Sequence, residues 1–542
     1  MRNLLSPCGQ SAHVVRGKIV RTPPLIATVL LATACMVGPD FVKPRVALNS
    51  RWTQTRDPRL AAASPIDVAW WRAFDDPVLD RLIDLAYHQN LSLQIAGLRI
   101  LEARAQLGVA IGELYPENVG PIATGSAEGL SEHSASSANI DRFYGNYQVG
   151  FDAVWELDVW GKDRRGVRAA RAAYLATVAD YDDAIVSLSA EVARTYIVIR
   201  TFEVLVAQAR QNVVLQEEGL QIAESRFRNG ATSELDVAQA TNLLESTRAS
   251  IPMFEIDLQQ ARNALSTLLG QPTGHLQSLL GSGRAVPTPP ARVAVSVPAE
   301  MLRRRPDIRG AELRAMAQCE RIGGAKADLY PRFVLFGSIG TQTTSAAGGG
   351  STLGDLFGPG SLTYRAGGSL FWPILNYPRI MNNVRIEDAR FQQSLIEYVT
   401  IVLRAAQEVE DGITGFLRAQ DAVAFEEKAT AAAEQAVKLA LVQYREGAVD
   451  YQRVLDSQRV LVESQNRLAN TRSAAATNLI ALYKALGGGW EVRQGLPVIW
   501  ERTRREMQKR TYWGGFLSEP QRPKSEIRTE AGTATTPPPS RR

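Results

Sequence analysis

The side chains best suited to chemistry are few in this chain and stand apart from one another. Its soft metal donors are three cysteines, Cys8, Cys35 and Cys319, and four histidines, His13, His88, His133 and His275. None falls in a CxxC, HExxH or HxxxH spacing, so no metal centre is expected; such a centre needs several donors brought together by one turn or helix face. No GxSxG elbow, no GxxxxGK[ST] loop and no GxGxxG between a strand and a helix is present, which removes the common hydrolase, NTPase and dinucleotide signatures. No catalytic residue is assigned, and the expectation is a protein that is not an enzyme.

Cys35 alone has a chemical context. Arg16, Lys18 and Arg21 precede an apolar run over residues 25–34, and the small residues Thr33 and Ala34 come immediately before the cysteine. A run of about ten apolar residues is too short to span a bilayer and reads as the core of a signal peptide, here residues 1–34. Small residues directly before a cysteine resemble the lipobox of bacterial lipoproteins, in which that cysteine is lipidated and becomes the mature N-terminus. Met36, where an aspartate would favour inner-membrane retention, points by the same likeness to the outer membrane. Ordinary signal cleavage that leaves a free thiol is the alternative. A covalent lipid on Cys35 is the sole non-protein group expected, and no cofactor is implied.

Charge narrows the partners. The chain of 542 residues carries 61 basic and 56 acidic residues. Four of the basic residues precede Cys35, and the stretch from Glu501 onward holds ten basic against five acidic, so the body between them is slightly acidic. A nucleic-acid groove needs a basic face, and this body has none to offer. At 45% hydrophobic and 22% charged the composition suits a large buried core.

The elements that position any site repeat along the chain with a period near 216 residues. Leu114-Tyr115-Pro116 recurs as Leu329-Tyr330-Pro331, and Phe227-Arg228-Asn229-Gly230-Ala231 as Tyr444-Arg445-Glu446-Gly447-Ala448. Each copy opens with a helix and passes through a strand pair. In Phe143–Leu157 the residues Phe143, Tyr147, Val149, Phe151, Trp155 and Leu157 share one face, and Tyr144, Asn146, Gln148, Asp152 and Glu156 the other. That is a period of two with opposed apolar and polar faces. Residues 121–131, 333–344 and 362–372 supply the other three strands. Their length and aromatic ends suit a tilted membrane strand, but taken alone they read as soluble hairpins.

A very long helix follows each strand pair. From Lys162 to Arg228 there is no proline, and apolar residues keep a 3,4 spacing broken only at Thr195 and Gln216; a second such run contains Tyr398, Val402, Ala405, Val409 and Phe416. Sustained heptads predict coiled coil, and at 1.5 Å per residue each helix spans roughly 100 Å. Small seam residues such as Ala405, Gly412 and Ala433 permit close packing. Both helices turn at a Gly-Ala pair, Gly230-Ala231 or Gly447-Ala448, and return through helices ending at Gly270 and Gly487. No later segment has eighteen consecutive apolar residues, so anything here that crosses a membrane is β.

Four strands cannot close a barrel, and open edges are not tolerated in lipid. Several chains must therefore combine. Two would give eight strands around a filled interior, whereas three give twelve around a lumen, which the polar strand faces favour. A lipid-anchored coiled-coil spacer that conducts nothing accounts for the helices but not for the strands.

The chain resembles the TolC-type outer-membrane efflux proteins of the lipoprotein branch, the outer-membrane factors of tripartite RND pumps. The likeness rests on Cys35-Met36-Val37-Gly38-Pro39-Asp40-Phe41, on Trp70-Trp71 with Phe74 and Pro77, and on Leu302-Arg303-Arg304-Arg305-Pro306-Asp307-Ile308. Trp372-Pro373-Ile374 and the segment from Tyr483 to Trp490 complete it. It implies an α+β membrane protein with an internal two-fold repeat. Three chains would form a homotrimer with a twelve-stranded transmembrane barrel, four strands per chain, continued by an antiparallel helical coiled-coil barrel with a mixed equatorial domain. The expected divisions are a lipid-anchored N-terminal segment (35–80), a first helix (81–114), strand pair (115–160) and helical hairpin (161–275), then a linker (276–300). The second copy comes next as helix (301–329), strand pair (330–378) and hairpin (379–487), with an equatorial end and disordered tail (488–542).

The function so implied is a passive outer-membrane channel for drugs or other small molecules. It would be lipid-anchored among outer-membrane lipids, extend into the periplasm, and be coupled through a periplasmic adaptor, or membrane fusion protein, to an inner-membrane RND transporter. A conduit for type I protein secretion or for metal efflux shares this architecture. The resemblance places adaptor docking at the turns Gly230-Ala231 and Gly447-Ala448. It places a periplasmic gate at Asp456 with Gln452, Arg453 and Arg459, in which Arg459 or Arg453 would compensate the acid, and a tip lock between Tyr444 and Asp236.

Overall fold

The computed structural model describes residues 36–61, 68–116, 118–133, 142–281, 285–295, 298, 304–346, 352–493 and 497–517. Residues 1–35, which hold the expected signal peptide and Cys35, and residues 518–542 lie outside them. The chain divides into a strand unit (1–39, 113–165 and 323–384) and a helical unit (40–112, 166–322 and 385–542).

In chain order the elements are β1 (Leu60–Ala61), α1 (Pro77–Gln89), α2 (Leu91–Gly112), β2 (Asn118–Gly129), β3 (Phe143–Leu157), α3 (Lys162–Arg228), α4 (Glu234–Leu268) and α5 (Gln277–Leu280). They continue with β4 (Val293–Ala294), α6 (Pro306–Ala327), β5 (Arg332–Ala346), β6 (Leu362–Phe371), α7 (Tyr377–Arg445), α8 (Tyr451–Ala485) and α9 (Glu501–Arg510).

The strand unit is built on one antiparallel sheet in the order β2-β3-β5-β6. Its register aligns like with like. Pro121, Phe151, Ile339 and Tyr364 lie side by side across the four strands, as do Gly120, Asp152, Ser338 and Arg365 one residue away. The alternation in the sequence thus becomes one apolar and one polar sheet face. Phe151, Ile339 and Tyr364 are exposed on the apolar side, and β2 and β6 are the two ends of the sheet.

The chain enters this unit under tight constraint. Val37 donates its amide to the Trp160 carbonyl at 3.1 Å. The fully buried Arg165 guanidinium donates to the carbonyls of Pro39 at 2.9 Å and Gly38 at 3.3 Å. Gly38 has φ +108° and lies so close to Gly323 that a Cβ would come within 2.4 Å of its Cα. A side chain at either glycine would expel the other segment.

The helical unit contains two unequal hairpins. The outgoing helices α3 and α7 have 67 and 69 residues, and the returning α4 and α8 have 35 each. Their main core joins Trp70, Trp71 and Phe74 to Tyr196 of α3, Phe416 of α7 and Tyr483 of α8. Trp70 stacks on Tyr483 with ring centroids 5.4 Å apart. Gly412 sits against the Leu482 backbone, where a Cβ would meet its Cα at 3.0 Å, and Ala405 and Ala433 are buried in the same seam.

Arg305 explains the Arg-Pro-Asp run. Its guanidinium bonds Asp307 at 2.7 Å, Glu408 at 2.8 Å and the Ala485 carbonyl at 2.8 Å. It therefore satisfies one of the carbonyls that the end of α8 leaves without a helical partner.

Two expectations need correction. The first helix of the first copy is broken at Asn90, whose side chain accepts from the Leu93 amide at 2.8 Å and donates to the Leu268 carbonyl at 2.9 Å. Asn90 thus caps α2 and ties it to the end of α4. The end of the chain, expected to be disordered from about Glu501 onward, is folded as far as Leu517. Helix α9 and the turn to Leu517 fold, because Met507 and Leu517 bury themselves against Leu101 and Ile499.

Candidate functional site at the hairpin turns

Both hairpins reverse through the same backbone motif. After α3, Gly230 adopts φ +74°, its amide donates to the Phe227 carbonyl at 2.9 Å, and the Ala231 amide donates to the Arg226 carbonyl at 2.8 Å. After α7, Gly447 adopts φ +76°, its amide donates to the Tyr444 carbonyl at 3.0 Å, and Ala448 donates to that of Gln443 at 2.8 Å. These paired bonds satisfy the last carbonyls of each helix and require a left-handed residue, which glycine adopts without a Cβ clash. Nothing lies within 4 Å of a Cβ built on Gly230, so the constraint there is conformational rather than steric.

A small apolar core sits just behind the turns. Ala223 of α3, Ala240 and Leu243 of α4, Val437, Leu441 and Tyr444 of α7, and Tyr451, Val454 and Leu455 of α8 pack together. Tyr444 and Tyr451 meet edge to face with centroids 5.2 Å apart. Burial pushes both hydroxyls above the ordinary tyrosine pKa, in Tyr444 against the opposing influence of nearby Thr232 and Arg226 and with a smaller push from the Asp236 charge. Both phenols stay neutral at physiological pH.

The two hairpins are joined here by Arg226. Its guanidinium makes a short hydrogen bond to the Tyr444 carbonyl and lies over the Tyr444 ring, 4.7 Å from the centroid. The expected link from Tyr444 to Asp236 is not formed as a hydrogen bond. Asp236 instead accepts a short bond from Thr232, and the Tyr444 hydroxyl is buried without a good partner. An exposed ion pair, Arg445 to Glu218 at 2.8 Å, adds a second cross-link of small energetic weight.

Asp456 sits one turn into α8 and is exposed, as are Gln452, Arg453 and Arg459. Its partner is Gln452, which donates to it at 2.9 Å. Arg453 and Arg459 make no ion pair with Asp456 among the described residues, so the expected compensation is absent within one chain. Arg453 uses its backbone instead: its amide reaches the Asp450 side chain at 3.4 Å, capping α8, and its carbonyl accepts from Ser457.

Sequence reasoning missed Arg226 and singled out its neighbour Arg228. The signal was there, since position 226 follows the seam residue Ala223 by three and so shares its face. It also gave no account of a buried polar layer between α3 and α8. Asn212 donates to Gln465 at 2.8 Å, Gln458 donates to the Leu215 carbonyl at 3.4 Å, and Gln216, where the heptads break, is 2% exposed with neither amide atom bonded to protein.

None of this geometry gathers a nucleophile, a base or a set of metal donors; it builds a mechanical joint. Comparison with known proteins agrees. The family model for outer membrane efflux proteins matches twice, over residues 82–271 and 297–488. The solvent efflux pump outer membrane protein SrpC of Pseudomonas putida is 31% identical over 486 residues, covering 87% of this chain and 98% of SrpC. The cation efflux system protein CusC of Escherichia coli O6:H1 is 28% identical, covering 85% of this chain and 97% of CusC. Among solved structures, the outer-membrane channel OprN superposes with a TM-score of 0.78 at 29% identity, covering 84% of this chain and all of that one. With both sheet faces, the paired hairpins and these likenesses on hand, the chain belongs to the outer membrane efflux protein family, whose members are channels of tripartite efflux and not enzymes.

Proposed function

We propose that three copies of this chain form a homotrimeric channel, lipid-anchored at Cys35 in the outer membrane, that passes drugs or other small organic molecules delivered by an inner-membrane RND transporter. The observation that carries this reading is the four-stranded sheet. It has an exposed apolar face, a polar face and two end strands, and in lipid such a sheet must be closed by other copies. Twelve strands leave a lumen that the polar face lines. On the helices, Ile396, Leu403, Leu439 and Val442 of α7 and Met253 and Ile256 of α4 are exposed. Neighbouring copies cover them in the helical barrel.

The residues next to Cys35 support the lipid assignment. Met36, the next residue, packs on Gly161, and Val37 is bonded to Trp160, three residues past the end of β3, so the segment that directly follows Cys35 lies at the foot of the strands. Adaptor docking is assigned to the Gly230-Ala231 and Gly447-Ala448 turns. The resting gate is assigned to the segment bearing Gln452, Arg453, Asp456 and Arg459, where threefold symmetry brings three Asp456 carboxylates toward one axis. Native mass spectrometry of the detergent-extracted protein tests the assembly: a mass of three chains, each diacylated or triacylated at Cys35, is expected. A monomer or dimer, or a mature N-terminus at another residue, overturns the reading.

A further inference from the structure

We infer that helix α9 and the turn after it form a docking face for an anionic glycan polymer, with Lys509, Arg510 and Tyr512 making the contact. The inference rests on the channel reading proposed above, with the helical unit on the periplasmic side of the outer membrane, and it concerns a segment beyond the last residue, 488, of the family match.

The segment is fastened to the body. Met507 and Leu517 pack with Leu101 and Ile499, and Leu98 and Trp513 extend the contact. The Trp500 amide donates to Gln94 at 3.1 Å, while Arg104 donates to the Phe516 carbonyl at 3.1 Å and lies over its ring. Gly97 lets the Val498 carbonyl approach to where a Cβ would be 2.1 Å away. An inert tail has no reason to be seated in this way.

The outward face is basic. Arg502 pairs with Glu506, and Arg504 and Arg505 pair with Glu501, all within the helix. Lys509 and Arg510 are exposed and have no ion pair among the described residues. Tyr512, two residues on, is 96% exposed. Two such cations beside an open aromatic face suit a polymer that alternates carboxylates with sugar rings, the rings lying flat on the tyrosine. A lipid surface fits less well, because a membrane-bound helix inserts an apolar face. The only large apolar residue of α9, Met507, already faces the protein.

The test uses the full-length protein in nanodiscs of neutral lipid, co-sedimented with purified peptidoglycan sacculi. We expect it to pellet at low salt, to be released as screening rises, and to bind weakly to sacculi whose carboxylates have been amidated. The Lys509→Glu/Arg510→Glu double variant should lose binding about tenfold, equivalent to about 1.4 kcal/mol. Tyr512→Ala should weaken binding too, while single-channel conductance is unchanged in every variant. Equal sedimentation of the variants, indifference to amidation, or capture of phosphatidylglycerol vesicles in preference to sacculi overturns the inference. Loss of conductance in the wild type would instead count against the channel reading, so the two failures are distinguishable.

Discussion

Arg226 is the residue on which the joint between the hairpins turns. A half-buried guanidinium that bonds a carbonyl and covers a ring contributes about 1.5–3 kcal/mol through the charged hydrogen bond and about 1 kcal/mol more through the ring. Arg226→Ala should loosen the tips and raise channel open probability at least severalfold in bilayer recordings, with the trimer intact. Tyr444→Phe tests the reverse case. Its hydroxyl is buried without a good partner, so removing it should leave open probability unchanged and thermal stability equal or higher. A strong increase in opening by Tyr444→Phe would restore the hydroxyl as the lock. Asp456→Ala should reduce block by multivalent cations, since the exposed carboxylate is bonded to the neutral Gln452 and has no ion pair among the described residues.

A pH response belongs to Asp183, held up to about 6 chiefly by burial, with Asp307 raising it further and Arg305 and Lys484 opposing. A carboxyl whose folded pKa exceeds its unfolded value of about 3.9 favours the fold most when protonated. Its contribution therefore declines as pH rises from about 4 to 6 and stays lost above that. Asp183→Asn should flatten this dependence, gaining stability relative to wild type at pH 7.5 but not at pH 4. Unfolding midpoints at the two pH values check it.

At the scale of elements, legibility tracks the strength of the period. The ends of β3 and α3 are plain in the sequence, because a fifteen-residue alternation and a 67-residue heptad run leave no other placement. The strand paired with β3 is expected at residues 121–131 and runs Asn118–Gly129, since Gly, Ala and Thr give an alternation too weak to fix its ends. Asn90 escapes a sequence reading because one polar residue in an amphipathic stretch looks like a solvent position until its partner, the Leu268 carbonyl, is known. Helix α9 escapes it because counting its charges hides Met507 and the apolar Leu517 and Trp513 of the following turn, which dock it. The turns are legible in type, and their geometry sets the expected outcome of Gly447→Leu. A left-handed leucine costs roughly 1–2 kcal/mol, too little to unfold a helix pair of this size, so under the proposed trimer and adaptor docking the protein should assemble while efflux in cells fails.

The whole molecule is the level least legible from one chain. A single copy shows two faces of a sheet, two end strands and uncovered apolar residues on α4 and α7, each of which states a need for a neighbour without fixing its geometry. The same limit applies to the site. Residues 452–459 are found from the turn and the resemblance, but their pairing is not, because Arg453 and Arg459 read as partners of Asp456 on helical spacing alone, whereas the fold gives that role to Gln452. The central claim is that this architecture conducts. It is tested most directly by recording single channels from the purified full-length protein in a planar lipid bilayer. The account predicts discrete, long-lived conductance steps whose block by multivalent cations falls with Asp456→Ala. A folded, lipidated protein that inserts and yields no conductance steps would contradict it and leave a lipid-anchored coiled-coil spacer in its place.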